Sequence, residues 1–229
     1  MKSYKSVVQD RYETESTEEN DSIYSPNSQI GKYSRKVIFR SLKSILDRFS
    51  NEKGNLTILD VGCGKGTLVD FFLSEGFTEK NIYGIDLSSN RINQAKTKYP
   101  SVNFVNGDAL ELTDITTEFD VITTFDLYSH FISKEEIIKG LKAISSKLKD
   151  TGTFIWYDIN TADHFSPPSN IDSWGFSMEQ MKSLGKEAGF EVVKSQGLFK
   201  LFFNKYHSVY RADKTPHWLL TFLEKIMPG

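Results

Sequence analysis

The chain has 229 residues, of which 38% are hydrophobic and 25% are charged, and its formal net charge at pH 7 is −2. A chain of this size and composition can bury a core and suits one α/β domain with additions. The charge balance gives no general attraction to nucleic acid or anionic membranes, and no apolar run reaches membrane-spanning length. The single cysteine, Cys63, excludes an internal disulfide and a thiolate metal cluster, so we expect a reducing, cytoplasmic location.

The N-terminal region differs in composition from the rest of the chain. Residues 1–30 are polar and acid-rich, which is typical of a flexible arm or lid. From Ile30 to Phe49 apolar residues recur at helical spacing, which predicts a first helix. We therefore expect an arm over residues 1–30 and one domain over residues 31–229, with a substrate rim around 161–175.

Beyond this helix, short apolar runs alternate with segments of helical periodicity. The runs that predict strands are Leu56–Gly62, Asn81–Ser88, Val102–Asp108, Phe119–Asp126 and Gly152–Asn160. The segments that predict helices are Thr67–Gly76, a helix started by Ser88 or Ser89, Lys134–Asp150 after Ser133, and Met178–Gly189 after Ser177. Apolar strands separated by helices are typical of a parallel sheet covered on both faces.

Two further apolar runs, Phe190–Gly197 and Phe199–Tyr210, are separated by Leu198 alone. Because so short a connection leaves no room for a helical crossover, this pair should be antiparallel. The sequence therefore predicts a Rossmann-like, doubly wound sheet of seven strands, parallel except for one antiparallel strand near the C-terminus.

A glycine-rich loop follows the first predicted strand. It reads D-x-G-x-G-x-G from Asp60 to Gly66, and such a loop lets the backbone turn sharply and approach a ligand at the carboxyl edge of a parallel sheet. The dinucleotide fingerprint G-x-G-x-x-G would require its last glycine where Thr67 or Val69 stands, and no G-K-S/T phosphate loop is present. The spacing disfavours both nucleotide-binding alternatives, including a nicotinamide oxidoreductase.

The loop and the strands after it resemble a known family. DVGCGKG resembles the first motif of class I S-adenosylmethionine-dependent methyltransferases, and YGIDLS, VNGDALEL and FDVITTFD are similar to the motifs that follow in the same order. The resemblance extends over roughly Ile58 to Val193. It implies S-adenosylmethionine as the cofactor and methyl transfer as the activity.

The resemblance also implies a role for particular residues at the strand ends. Asp86 would bind the ribose hydroxyls, because an ionised carboxylate accepts strong hydrogen bonds from them. Asp60 would bind the loop backbone or the cofactor ammonium group. Asp108 can instead make a simple Asx turn. The complete set of implied cofactor contacts is Tyr24, Tyr33, Asp60, Gly62, Gly64, Gly66, Asp86, Leu87, Asp108, Ala109 and Phe125.

The methyl acceptor is less closely defined. Thr123–Phe131 and Tyr157–Phe165 look similar to segments of small-molecule methyltransferases, including sugar methyltransferases, which implies a hydroxyl or amine acceptor. His130 is a candidate base or a positioning residue, and Asp158 is a candidate base or a structural hydrogen-bond acceptor. A pocket lined by Tyr128, His130, Tyr157 and His164 would favour an enzyme.

Two alternatives remain open at this point. Asp126, Asp158 and Asn160 loosely resemble the magnesium site of catechol-type O-methyltransferases, although Asp-Ile-Asn departs from the adjacent Asp-Asn pair of that family. A non-catalytic cofactor-binding subunit is the other alternative. The expected partner is a small-molecule acceptor, without nucleic acid or a membrane span and with a homodimer left open.

Overall fold

The computed structural model describes residues 29–49, 52–131, 133–158 and 175–195. These residues belong to two compact units. Helix α1 (Gln29–Leu46) and a 3-10 helix (Asp47–Phe49) belong to one unit, and the described residues from 52 onwards belong to the other. The helix confirms the expectation for Ile30 to Phe49, whereas the proposed arm lies almost entirely outside the described residues.

Five parallel strands form the sheet of the larger described unit, in the order β3-β2-β1-β4-β5. Their bounds are β1 Ile58–Val61, β2 Ile82–Asp86, β3 Asn103–Asn106, β4 Phe119–Phe125 and β5 Leu148–Tyr157. All four residues of the central strand β1 are buried, because it is flanked by β2 and β4 and covered on both faces. The chain proceeds outwards from β1 to β3 and then crosses to β4, which creates a topological switch point beside β1.

The helices of this unit are α2 (Val69–Ser74), α3 (Ser89–Lys98), α4 (Lys134–Ser145) and α5 (Met178–Glu187). The hydroxyls of Ser88, Ser133 and Ser177 accept backbone N–H bonds from the first turns of α3, α4 and α5. These contacts confirm the predicted starts of the three helices, because a serine cap satisfies an N–H group that has no partner within the helix.

One face of the sheet carries the main apolar cluster. Ile122 of β4 packs there with Tyr128, Phe131, Leu141 of α4 and Phe176, all of them fully buried. This packing fixes the segment that follows β4 against the sheet. The carboxyl ends of the strands therefore lie above a well-packed core.

The boundary between α4 and β5 corrects the sequence prediction. The helix predicted to reach Asp150 ends at Ser145, and β5 begins at Leu148 rather than Gly152. The carbonyl of Lys147 accepts a 2.8 Å hydrogen bond from the Phe119 N–H, and Leu148 pairs with Phe119. Pairing with β4 therefore draws residues 148–150 into a strand, although their local pattern favours a helix.

The seven-stranded sheet is confirmed in part. The structure describes five parallel strands, and Phe190–Ser195 carry no strand pairing, although the sequence predicts a strand there. The remaining residues of the two terminal runs lie outside the described ranges, so the antiparallel strand stays a prediction. None of the described helices is long and apolar enough to cross a membrane.

Candidate functional site

The glycine loop extends β1 over the end of β2. The N–H groups of Gly62 and Cys63 both donate to the carbonyl of Ile85, at 2.8 and 3.1 Å. Gly62, Gly64 and Gly66 have φ values of +80°, +54° and +77°, a region that side chains disfavour. The loop therefore needs glycine for its backbone conformation.

Asp86 joins this loop to the start of α3. Its Oδ2 accepts a hydrogen bond from the Gly64 N–H and its Oδ1 accepts one from the Ser88 N–H, both at 2.9 Å. Each carboxylate oxygen retains a second acceptor site, which suits a pair of vicinal hydroxyls. The same carboxylate can thus fix the loop and accept hydrogen bonds from a ligand.

Asp60 lies beneath the loop and is only 6% exposed. Its Oδ1 accepts a 2.9 Å hydrogen bond from the Thr123 hydroxyl of β4, so Asp60 binds this side chain rather than the loop backbone. Burial raises the pKa of Asp60 to about 7, the Thr123 hydrogen bond opposes that shift, and repulsion from Asp86 adds to it. The carboxyl group therefore titrates near neutral pH.

The ends of β2 and β3 are held together by Asn106. Its side-chain amide donates to the carbonyls of Asp86 and Leu87, at 3.0 and 2.9 Å. Oδ1 of Asp108 accepts a 2.9 Å hydrogen bond from the Leu110 N–H, which forms the Asx turn that the sequence left open. Ala109, between these residues, is buried.

Asp158 anchors the segment after β4. Its Oδ2 accepts hydrogen bonds from the Tyr128 N–H, the Ser129 N–H and Nε1 of Trp156, at 2.9, 3.2 and 3.2 Å. The residue is 7% exposed, and three donors converge on one of its oxygens. This geometry favours the structural interpretation of Asp158 over a role as general base.

Tyr128 does not line an open pocket, although the sequence left open a substrate pocket that included its side chain. It is completely buried, with its ring 5.2 Å from that of Phe131 and 5.0 Å from that of Trp156, both in edge-on arrangements. Core packing explains the difference, because Tyr128 begins a 3-10 helix that turns its ring inwards. His130 ends this 3-10 helix and is half-buried.

Asp126 occupies the first position after β4 and has a φ of +50°. Its N–H donates to the carbonyl of Tyr157 at 3.0 Å. Burial of the carboxyl group, followed by repulsion from Asp158, raises the pKa of Asp126 to about 7. Because the residue as a whole is exposed, solvent weakens both effects.

An aromatic pair lies beside Asp126. The rings of Phe125 and Tyr157 stack with centroids 5.3 Å apart and planes inclined by 28°. Burial raises the pKa of the Tyr157 hydroxyl, and the carboxylates of Asp126 and Asp158 raise it further. The ends of β4 and β5 thus combine aromatic surface with negative charge.

Comparison with known proteins identifies the region that contains the carboxyl ends of β1 to β4. Residues 58–152 match the family model described as a methyltransferase domain. A putative methyltransferase of invertebrate iridescent virus 6 is 29% identical over 151 residues, which cover 63% of this chain and 55% of the relative. An uncharacterized methyltransferase of Synechocystis is 26% identical over 147 residues, covering 60% and 68% respectively. Residues 58–152 therefore carry a methyltransferase domain, as the resemblance to class I S-adenosylmethionine-dependent methyltransferases implies.

The fold of the methyltransferase domain agrees with this assignment. The crystal structure of magnesium protoporphyrin IX methyltransferase from Synechocystis with bound S-adenosylmethionine superimposes with a TM-score of 0.60 at 17% identity, covering 87% of this chain and 94% of that one. The chain spans little more than half of the viral relative and about two thirds of the cyanobacterial one. S-adenosylmethionine is the cofactor of the domain.

The methyltransferase domain brings most of the predicted site residues to one edge of the sheet. Asp60, Asp86, Asp108, Phe125 and Asp158 all lie at or beside the carboxyl ends of strands. Others are placed elsewhere or not described. Tyr33 is a buried residue of α1 in the other compact unit, and Tyr24, Asn160 and His164 lie outside the described residues.

Two residues of the methyltransferase domain differ from a simple interpretation of the sequence. Cys63 is buried and free, and burial raises the pKa of its thiol well above the usual value, so it is unsuited to act as a nucleophile. Asp126 was considered only as part of a metal site, although it is an acidic residue directly after a buried strand. That position is the signal in the sequence that could have identified it as a site residue.

Proposed function

We propose that the chain transfers the methyl group of S-adenosylmethionine to a hydroxyl or amine of a small molecule, with a sugar among the candidate acceptors. One observation carries the proposal. The Asp86–Gly64 hydrogen bond and the approach of Leu127 to Gly62 bring the loops after β1, β2 and β4 together at the switch point. Open parallel sheets bind their ligands at such points.

The residues at this edge suit the parts of the cofactor. Asp86 would accept hydrogen bonds from the ribose hydroxyls, and Asp108, Ala109 and Leu87 would border the adenine. Gly62, Gly64 and Gly66 would allow close approach to the backbone, while Asp60 and Phe125 would lie nearest the methionine portion. The stated contacts fix Asp60, Asp86 and Asp108 before any ligand arrives, which reduces the entropy lost on binding.

Bound S-adenosylmethionine supplies an electrophilic methyl group attached to a positively charged sulfur. The main task of the chain is then to align the acceptor with that carbon–sulfur bond and to exclude water. Asp158 would act as a positioning residue, because it holds the backbone of Tyr128 and Ser129 in the segment that faces the acceptor. His130, at the end of that segment, would act as a base or contact the acceptor.

The metal-dependent alternative has weaker support. It requires Asp126, Asp158 and Asn160 to share one ion, but Oδ2 of Asp158 already accepts three hydrogen bonds. Among the described residues, no group of three or more potential metal ligands is found. Asn160 lies outside those residues.

Calorimetric titration of the full chain with S-adenosylmethionine, S-adenosylhomocysteine and NADH tests the proposal. We expect binding of the two sulfur compounds and no binding of NADH. Asp86→Asn should weaken S-adenosylmethionine binding roughly 10- to 100-fold, because it places an amide where charged hydrogen bonds are needed. The exposed Asp150→Asn provides a matched control with unchanged affinity. Failure of the wild-type chain to bind either sulfur compound would refute the proposed function.

A further inference from the structure

We propose that Asp126 contacts the methyl acceptor, and that this acceptor is an amine whose ammonium form the Asp126 carboxylate binds and deprotonates. The inference rests on the proposed function and goes further by choosing between hydroxyl and amine. It also gives Asp126 a catalytic role that differs from the metal-ligand role considered in the sequence analysis. Four features of the described residues support it.

The first feature is position. Val61 of β1 pairs with Thr124 of β4, two residues before Asp126. Leu127 follows Asp126, and its Cδ1 lies 3.1 Å from the position that a Cβ of Gly62 would occupy. The strand before Asp126 is therefore paired with β1, and the side chain of the residue after it packs against the first glycine of the loop. This places Asp126 next to the region proposed for the methionine portion of the cofactor.

The second feature is the backbone conformation. Asp126 and Leu112 are the two non-glycine residues with positive φ in the described part of the chain. A left-handed conformation costs free energy for any residue with a Cβ, although aspartate tolerates it better than most. Such strain is retained where the surrounding structure imposes it, and it occurs preferentially at functional sites. Here the hydrogen bond from the Asp126 N–H to Tyr157 fixes the strained residue to the end of β5.

The third feature is the availability of the carboxylate. Asp60, Asp86, Asp108 and Asp158 each accept at least one hydrogen bond from a protein donor. Asp126, by contrast, makes no side-chain hydrogen bond or ion pair with any residue in the described ranges. It is exposed, so both oxygens can accept hydrogen bonds from a ligand. Among these acids, Asp126 is thus the one best placed to bind an acceptor.

The fourth feature is the chemical environment, which suits a cation. Phe125 precedes Asp126, and its ring stacks on that of Tyr157. Aromatic faces and carboxylates both attract an ammonium ion. The titratable groups that act on Asp126 are Asp158 and the Tyr157 hydroxyl, both after or within β5, and His130 lies four residues further along the chain. Neither Asp158 nor Tyr157 contributes positive charge, so an ammonium group of the acceptor would be attracted to the Asp126 carboxylate.

The acidity of the carboxyl group agrees with an amine acceptor. Burial of part of the carboxyl group and repulsion from Asp158 raise the pKa of Asp126 to about 7, and solvent at the exposed part of the residue weakens this shift. A base with such a pKa can take the proton of an ammonium ion, which loses it a few pH units higher, but is too weak to ionise an alcohol appreciably. The aromatic pair and the carboxylates beside it favour an amine over a hydroxyl, and the direction of the Asp126 pKa shift agrees with that choice.

The transfer step balances as follows. The ammonium nitrogen gives one proton to the Asp126 carboxylate, which becomes a carboxylic acid, and the nitrogen regains its lone pair. That lone pair forms the new N–C bond to the methyl group. The C–S bond breaks with its electron pair left on sulfur, so the positive charge passes from sulfur to nitrogen. Asp126 returns its proton to solvent after the product leaves.

Methyl transfer to matched acceptor pairs tests the inference. The full chain would be assayed with labelled S-adenosylmethionine and with glucosamine against glucose, UDP-glucosamine against UDP-glucose, and tyramine against tyrosol. We expect transfer to at least one amine and to none of the hydroxyl counterparts. Asp126→Asn, which keeps the side-chain size and tolerates positive φ, should lower kcat/KM for that amine at least 100-fold. It should also abolish the rise of kcat/KM with pH near neutrality.

Two controls separate the causes of a loss of activity. Asp126→Gly retains the left-handed backbone without the carboxylate and should be as inactive as Asp126→Asn, whereas Asp150→Asn should behave as the wild type. Methylation of a hydroxyl counterpart, unchanged kcat/KM in Asp126→Asn, full activity in Asp126→Gly, or no transfer to any amine would each overturn the inference. Calorimetry distinguishes failure of this inference from failure of the proposed function. If only the inference fails, the wild type and the Asp126 variants should still bind S-adenosylmethionine with affinities within about twofold of each other. If the proposed function is wrong, the wild type should not bind it at all.

Discussion

At the carboxyl end of β5, the Asp158 side chain supports the backbone of a neighbouring segment. Its Oδ2 accepts N–H bonds from Tyr128, Ser129 and Trp156 in a buried setting. Hydrogen bonds to an ionised group are about twice as strong as neutral ones, and buried donors are costly to leave unmade. An aspartate that looks catalytic in the sequence can therefore have a mainly structural role.

Substitution of Asp158 should separate charge from hydrogen bonding. Asp158→Ala leaves three N–H groups without their acceptor and should lower the free energy of unfolding by about 3 kcal/mol or more. Asp158→Asn keeps an acceptor oxygen and should cost only about 1 to 2 kcal/mol. Urea unfolding monitored by circular dichroism measures both. Equal losses in the two variants would show that the three hydrogen bonds contribute little.

Among the elements of the fold, the glycine loop combines two separate constraints. Gly64 has a φ of +54°, and a Cβ there would meet only Nη1 of Arg91 at 3.8 Å. Gly66 has a φ of +77°, and a Cβ there would lie 3.0 Å from the ring of Tyr99 and 3.2 Å from that of Phe104. Gly64 is thus required for its backbone conformation, and Gly66 for conformation and space.

Alanine substitutions at these two glycines should differ in cost. Gly64→Ala should destabilise the fold by about 1 kcal/mol, since a left-handed residue with a Cβ costs about 1 to 2 kcal/mol, partly offset by the lower entropy of the unfolded chain. Gly66→Ala should cost roughly 1 to 3 kcal/mol more, because two buried rings must move. Thermal and urea unfolding of the pair would measure the difference, and equal costs would contradict the packing argument.

The elements also show what the sequence can predict. Serine caps mark the starts of α3, α4 and α5, because a cap depends on contacts within one turn of helix. The start of β5 was predicted too late, because residues after Ser145 follow helical periodicity while the Lys147 carbonyl bonds to Phe119 of another strand. A local sequence pattern predicts a structural feature, such as a helix start, when contacts between nearby residues determine that feature. Strand pairing over a longer separation in sequence does not leave such a pattern.

The same distinction applies to the candidate site. The glycine spacing and the acids at the strand ends predict that Asp60 and Asp86 lie at one edge of the sheet. Parallel strands share their carboxyl edge, so this prediction needs only the sequence. The functions of Asp126 and Asp158 were harder to separate. One accepts buried N–H groups while the other is exposed at a strained backbone position, and both facts depend on the tertiary arrangement.

For the whole molecule, the buried acid at the end of β1 predicts how stability depends on pH. The pKa of Asp60 is raised to about 7, mainly by burial, from its usual value of 3.8. Between these values the native state binds a proton that the unfolded chain has released. Stability contributed by this group is therefore fully present below about pH 4 and is lost as pH rises through about 7.

Asp60→Asn should remove this component of the pH dependence. Between pH 5 and 7 the wild type should lose up to roughly 1.4 kcal/mol per pH unit relative to the variant. Urea unfolding of both proteins at several pH values would measure the slopes. Because both proteins retain Asp126, its titration cancels in the comparison. Parallel slopes would show that Asp60 is ionised throughout this range.

At the opposite edge from the site, Lys53 and Glu75 form a salt bridge of 3.1 Å with side chains only 7% and 10% exposed. The pair is separated by 22 positions, and the chain between them contains β1, the glycine loop and α2. Breaking such a buried pair is strongly unfavourable, so we expect this strand–loop–helix segment to unfold as one unit. We therefore expect the glycine loop to act as a preformed cradle for a ligand and not as a hinge.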